Sequence, residues 1–208
     1  MRRSTRKNSM TSAGLTGRQT SPSGPNRPLG PPMSQPSSGA HPDGPPPGLP
    51  CTHRGAVLPE WIDYNGHMNV AYYVVLLDHG ADGFIDLVGM GGEFMKRHQL
   101  STFAIDARIV YRRELMVNAP VNCYSHLLDH DEKRMQVGNY LAHAEEGWFA
   151  AYSEWVYVQI DLKTRRSARF RPEIMAQIAE LYAAHRLIPR PAALERPFGL
   201  GRPAASAS

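Results

Sequence analysis

The segment Trp61-Ile62-Asp63-Tyr64-Asn65-Gly66-His67-Met68-Asn69 runs directly into Val70-Ala71-Tyr72-Tyr73-Val74-Val75-Leu76-Leu77-Asp78, and this junction decides the fold. A polar, glycine-containing loop gives way to a long apolar stretch. Apolar residues recur at Val70, Tyr73, Val74, Leu77, Ala81, Phe84, Ile85 and Val88, in steps of three and four, which predicts one helix over about 69–88. Tyr72, Val75 and Leu76 carry apolar character onto other faces, so the helix is expected to be buried almost all round. Asn69 is a good N-cap, and Gly89, Gly91 and Gly92 stop the helix.

Upstream, Ala56-Val57-Leu58 is a short apolar run ended by Pro59 and reads as a first strand. Downstream the period changes to two. Phe103, Ile105, Ala107, Ile109 and Tyr111 alternate with Ala104, Asp106, Arg108 and Val110, which is a strand pattern. Turns at Asn118-Ala119-Pro120, at 129–132 and at 144–147 divide the rest into strands over Val121–Leu128, about Met135–Leu141 and Trp148–Asp161. Pro172 opens a closing helix with Ile174, Ile178, Leu181 and His185 on one face. Strand, helix, four consecutive antiparallel strands forming a meander, then helix, is an α+β order in which one sheet curls round one apolar helix. Sheet edges invite pairing with a second copy, so a homodimer is expected.

Composition sets the outer limits. The chain has 208 residues, and the first 50 hold 11 of the 18 prolines with 7 glycines and 8 serines. Residues 1–50 are therefore expected to be a disordered leader, 51–190 the folded domain and 191–208 a flexible tail. The leader is rich in Arg and Ser, as transit peptides are, but its prolines and its lack of an apolar face oppose that reading. No secretory signal is legible, so a cytoplasmic location is expected. The net charge of +4 belongs to the leader, which carries six basic residues and one acidic residue. The remaining 158 residues carry 17 basic and 18 acidic, which gives no footprint for a nucleic-acid partner. No stretch is long and apolar enough for a membrane-spanning helix. Two cysteines exclude a disulfide scaffold and a four-cysteine zinc site.

Asp63, Asn65, His67 and Asn69 stand at alternate positions immediately before the helix. Each has a bland explanation: a turn residue, a surface histidine, a cap. Together, at the point where an apolar helix enters a sheet, they place a carboxylate beside free helix N–H groups, which suits a developing oxyanion. The segment resembles the active-site loop of hotdog-fold acyl-CoA thioesterases of the 4-hydroxybenzoyl-CoA thioesterase type. Asp63, Gly66-His67, Asn69, Tyr73 and Asp78 match that pattern, although many relatives have Glu where Asp78 stands. The wording of 61–68, and of stretches within 129–166, is similar to bacterial betainyl-CoA thioesterase-like enzymes. The resemblance covers about 54–180.

The resemblance implies a hotdog fold, hydrolysis of an acyl-CoA small-molecule substrate, a homodimer or dimer of dimers, and no metal or redox cofactor, CoA entering only as part of the substrate. Thioester hydrolysis needs a nucleophile and an oxyanion site but little acid help, because a thiolate leaves readily. Asp63 is the expected nucleophile or general base, since an ionised carboxylate can attack carbon or activate water. Asn65 would orient water or the carboxylate, and His67 would pair with Asp63 or hold the thioester. Backbone N–H groups near 67–69 would polarise the carbonyl. Asn69, Tyr73 and Asp78 are the expected substrate contacts, with Arg112 and Arg134 as donors to CoA phosphates. Two alternatives stay open: a non-catalytic acyl-CoA-binding hotdog protein, and a hotdog enoyl-CoA hydratase or dehydratase using His79 on the helix. His126 and His130 beside Asp129 and Asp131 read as a solvated turn rather than a metal site, and Ser101 and Ser153 lack the context of a serine hydrolase.

Overall fold

The computed structural model describes residues 43–190. Strand β1 (Cys51–Ala56) and a single 3-10 turn (Pro59–Trp61) precede helix α1 (Val70–Leu87). Helix α2 (Gly92–His98) then leads to strands β2 (Leu100–Tyr111), β3 (Pro120–His130), β4 (Arg134–His143) and β5 (Phe149–Asp161). A two-residue strand, β6 (Arg166–Ser167), and helix α3 (Pro172–His185) complete the order. No helix among the described residues is long and apolar enough to cross a membrane.

The strand order is β1-β3-β4-β5-β2, antiparallel throughout, with β6 on β5. The expected four-strand meander is thus corrected to three strands, β3 to β5. Strand β2 pairs with β5, from Leu100↔Asp161 to Tyr111↔Ala151, at the opposite edge from β1. The physical reason is that β1, which starts earlier than expected and ends at Ala56, already occupies the free side of β3. Residues 57–58, read as strand, lie past its end, where Val57 is buried in the core. Helix α2 has no counterpart in the sequence reading, because Gly91 and Gly92 read as a stop and instead cap and open seven helical residues.

Helix α1 lies across the sheet much as its periodicity requires, with the Asn69 side chain capping it by accepting the Ala71 N–H at 2.9 Å. Its Tyr73, Leu76 and Leu77 pack on Val121, Cys123, Leu141 and Ala151, and its Ala81 and Phe84 on Leu127, Val137 and Trp155. Each large apolar side chain buried there contributes about 1.5–3 kcal/mol. The approach is close: a Cβ on Gly83 would sit 2.0 Å from the Thr52 carbonyl oxygen, and one on Gly80 2.2 Å from the Cys123 sulfur. Burial all round is not what the helix shows. Val70, Ala71, Val75, Asp78, His79 and Asp82 are exposed, because only one side of α1 meets this sheet.

The other side of the sheet is covered by the two ends of the described chain. Leu49 packs with Tyr140, Phe149, Tyr152 and Ile188. The Pro50 carbonyl accepts the Ser125 N–H at 3.1 Å, and the Asp43 carbonyl accepts the Phe149 N–H at 3.0 Å. Residues 43–50, expected to belong to the leader, are therefore part of the packed unit, anchored by one apolar side chain and backbone bonds that a Pro/Gly count does not register. The rest of the expected leader, 1–42, and the tail, 191–208, lie outside the described residues. His126, read as part of a solvated turn, is buried on this side: its Nε2 meets the His185 carbonyl at 3.0 Å.

Candidate active site

Residues 62–68 form a miniature hairpin. Ile62 and Met68 pair as an antiparallel bridge, the Asp63 N–H donates to the His67 carbonyl at 3.1 Å, and the Asn69 N–H donates to the Trp61 carbonyl at 2.9 Å. Asp63 starts the turn. Its Oδ1 accepts the Asn65 N–H at 2.8 Å and its carbonyl accepts the Gly66 N–H at 3.0 Å, with Gly66 at φ +84°. A short carboxylate side chain and a glycine in the left-handed region are what such a turn requires. The hairpin is tied down by Met68, fully buried, whose N–H donates to the Leu115 carbonyl at 2.8 Å. Trp61 stacks on Tyr72 with centroids 5.1 Å apart, which fixes the entry into α1.

Beside the hairpin is a cavity of about 270 Å³, lined by His67, Met68, Val70, Tyr73, Tyr111, Arg112, Arg113 and Glu114. The Tyr73 hydroxyl holds its far wall in place, donating to the Arg113 carbonyl at 3.3 Å and accepting the Leu115 N–H at 2.9 Å. Burial pushes the Tyr73 phenol above its ordinary pKa, the Leu115 N–H pulls it down, and the charges of Glu114 and Asp63 push it up. Both carboxylates thus act at this ring. His67 is half-buried between groups that accept: its Nδ1 is 3.2 Å from the Met68 carbonyl and its Nε2 3.7 Å from a Glu114 carboxylate oxygen. The side chains of Arg112 and Arg113 extend onto the aromatic rings of Phe149 and Trp148, and Arg113 also donates to Asp43 at 3.1 Å.

The structure brings Asp63, His67, Asn69, Tyr73 and Arg112 to one end of the sheet. It leaves Asn65 exposed at the tip of the turn, where its N–H donates to Asp63. Asp78 lies more than two turns along α1, where its charge is felt at Tyr157 and Asp82. Arg134 is at the opposite end of β4 from His143, about 30 Å away at the rise of a strand, and is paired with Asp131. His79 faces His53 at 5.0 Å between ring centroids, and neither ring lines the cavity. Among the described residues no three His, Cys, Asp or Glu side chains converge as a metal ion would need. The backbone donors differ from expectation too. The N–H groups of Met68 and Asn69 are taken by Leu115 and Trp61, and that of Ala71 by the Asn69 cap. The N–H of Val70, first in the helix and on the cavity wall, has no acceptor among the described residues. Tyr111 and Glu114 were given no role by sequence reasoning, because the packing of 111–115 against Met68 links residues more than 40 positions apart.

Comparison with known proteins shows the family. Residues 57–178 match the model of the thioesterase-like superfamily. A betainyl-CoA thioesterase of Pseudomonas aeruginosa is 32% identical over 149 residues, which is 72% of this chain and 94% of that protein. An L-carnitine dehydrogenase/betainyl-CoA thioesterase of Agrobacterium fabrum is 25% identical over 131 residues, 63% of this chain and 27% of that longer protein. Among solved structures, a hypothetical protein of Staphylococcus aureus in complex with CoA superposes with a TM-score of 0.67 at 25% identity. It aligns over 73% of this chain and 96% of its own.

Proposed function

The chain belongs to the thioesterase-like superfamily, and from that premise we propose that it hydrolyses a short acyl-CoA thioester through Asp63. One observation carries the assignment of the residue: the Asp63 carboxylate is oriented by a single backbone bond to Oδ1, and among the described residues no Arg or Lys pairs with it. A carboxylate so placed is oriented, with capacity left to take a proton from water or to attack carbon. In the first route water loses a proton to Asp63 and adds to the carbonyl. In the second Asp63 forms a mixed anhydride that water then opens. Either way the C–S bond breaks, and CoA leaves as a thiolate that takes up a proton. The Val70 N–H, at the positive end of α1, is the donor we assign to the oxyanion. His67 closes the site beside it.

The small cavity favours a compact acyl group over a long chain. With the Pseudomonas relative, this puts betainyl-CoA first among candidate substrates. Exposed Phe103, Ile105 and Tyr111 on edge strand β2 support the homodimer reading, because a long apolar edge left open is an association site. Sedimentation showing one 23.1 kDa chain across the micromolar range would refute the dimer.

A panel of acyl-CoA substrates with the released thiol detected tests the reading. Turnover of short acyl-CoAs well above the uncatalysed rate is expected. CoA-ester binding without thiol release would instead favour a non-catalytic acyl-CoA-binding protein.

A further inference from the structure

Strand β2 ends at Tyr111, where the chain leaves the sheet, so strand pairing does not place residues 112–115. Other bonds do. The N–H groups of Arg112 and Arg113 both donate to the Ala150 carbonyl, at 2.8 and 3.1 Å. The next anchor is a side chain of α1: the Tyr73 hydroxyl donates to the Arg113 carbonyl at 3.3 Å and accepts the Leu115 N–H at 2.9 Å. Leu115 is fully buried, and its own carbonyl accepts the Met68 N–H at 2.8 Å. Met68 pairs with Ile62, the residue before Asp63. The Tyr73 oxygen is therefore joined to the hairpin that carries Asp63 by two hydrogen bonds in series, both made by Leu115. The Asp63 charge also acts on the Tyr73 phenol, which puts the two groups in one neighbourhood.

We propose that Tyr73 is a positioning residue for the hydrolysis: its hydroxyl fixes where Asp63 stands relative to the Val70 N–H, acting through Leu115 and Met68 and not by contact with substrate. The inference rests on the thioesterase reading above, with Asp63 as base or nucleophile and the Val70 N–H as oxyanion donor. Both groups must meet at one carbonyl carbon, yet they belong to different elements. Val70 is on α1, three residues before Tyr73, and moves with it. Asp63 is on the hairpin, which reaches α1 through Asn69 and the Trp61–Tyr72 stack. A stack of rings tolerates sliding, whereas a hydrogen bond fixes a length and a direction. Phenylalanine at position 73 would keep the ring packed among Met68, Leu76 and Leu115. It would also leave the Arg113 carbonyl and the Leu115 N–H without their partner, and a buried unpaired group drives its segment to shift. A displacement of about 1 Å at the reacting groups costs ~10²-fold in rate. The hydroxyl itself is a poor substrate contact, because its one proton is already donated and Tyr73 is 5% exposed. This role differs from the substrate contact that the sequence led us to expect of Tyr73.

The test is Tyr73→Phe in the full chain, alone and combined with Asp63→Asn, with Tyr152→Phe as the control. Tyr152 is also buried, and its hydroxyl donates to Glu154 at 2.8 Å on the other face of the sheet. The readouts are melting temperature, and kcat and KM for thiol release from the acyl-CoA of the panel that is turned over fastest. Tyr73→Phe is expected to lower kcat about tenfold or more and to leave KM within about twofold. Tyr152→Phe should lower the melting temperature and leave kcat unchanged. Asp63→Asn already removes the group being placed, so adding Tyr73→Phe to it should cost less than about twofold more. A Tyr73→Phe protein with wild-type kcat, or one that does not fold at all, overturns the proposal. So does a rise in KM at unchanged kcat, which would make Tyr73 a substrate contact. Losses that multiply in the double variant overturn it as well, since Tyr73 would then act apart from Asp63. Wild-type turnover by Asp63→Asn alone removes the catalytic reading beneath the proposal, whatever Tyr73→Phe does.

Discussion

Turn-opening aspartates at the two ends of the sheet, Asp131 and Asp161 at one and Asp63 at the other, are held in opposite ways. At the end formed by the β3–β4 and β5–β6 turns, acids are spent on structure. Asp131 accepts the N–H groups of Lys133 and Arg134 and pairs with the Arg134 guanidinium, which together hold its carboxyl below the usual range. Asp161 accepts the N–H groups of Lys163 and Thr164 and is lowered likewise. Glu132 pairs with Arg169. At the end where α1 begins, Asp63 accepts one backbone N–H and Glu114 faces a histidine, without an Arg or Lys partner for either among the described residues. The sequence motifs are alike, an Asp opening a tight turn in both places. What separates a catalytic candidate from a structural one is the number of donors already spent on it.

The largest expected effect is on stability in acid. The middle of β3, against the end of α3, carries a buried histidine pair. His185 Nδ1 accepts the Leu127 N–H at 2.9 Å, and burial with His126 beside it depresses its pKa to about 4. His126 is lowered as well, chiefly by burial. A depressed histidine takes its proton in the unfolded chain before the folded one. Stability is therefore full above pH about 6.5 and is lost as pH falls toward 4, by up to about 3 kcal/mol for His185. Asp131 and Asp161 add a further loss below their ordinary pKa of 3.8, since their folded values are depressed. Urea melts from pH 7 to 4 should show this decline, and His185→Asn should flatten its upper part. A flat profile in the wild type would contradict it.

Backbone packing at the middle of α1 should respond next. Gly83→Ala places a methyl group against the Thr52 carbonyl, a backbone atom that cannot swing aside, and overpacking of this kind costs about 1–3 kcal/mol. The melting temperature should fall, while the small hairpin at 62–68, tied to Leu115 and Trp61, keeps its geometry. A Gly83→Ala protein as stable as wild type would mean that helix and strand separate easily there.

The smallest effect belongs to the structural carboxylates themselves. Asp131→Asn keeps the side-chain oxygen that closes the turn and loses only an exposed ion pair, so the expected cost is under about 1 kcal/mol by denaturant titration. A larger loss would show that the far-end acids support more than their own turns.

Much of this fold was legible in the residues. The α1 periodicity, the Asn69 cap and the Pro172 start are local signals, and the helices stand at Val70–Leu87 and Pro172–His185. The strands were legible, but the pairing of β2 with β5 was not, because alternation along a strand does not say which neighbour it takes. Exposure of Asp78 and Asp82 on α1 was missed for a related reason: apolar residues on several faces do not reveal how many of those faces one sheet can cover. The position of Asp63 and His67 just before α1 was readable from the sequence. Glu114 and Tyr111 were not, since only the long-range bonds of Met68 to Leu115 and of Tyr73 to Arg113 bring that segment beside them. The Asp43–Pro50 segment was hidden by its composition, in which one buried leucine does the anchoring.

Asp63 and Asp131 both close turns, and the proposal is that Asp63 is chemical and Asp131 structural. The measurement that tests it most directly is kcat for thiol release by Asp63→Asn and Asp131→Asn proteins, each checked for folding, on one acyl-CoA substrate. Asparagine preserves both turns, so structure alone predicts that neither variant loses turnover. If Asp63 is catalytic, kcat falls by ~10²-fold or more for Asp63→Asn and stays at the wild-type level for Asp131→Asn. A folded Asp63→Asn enzyme within about threefold of wild type, a barrier change of only ~0.65 kcal/mol, would contradict it.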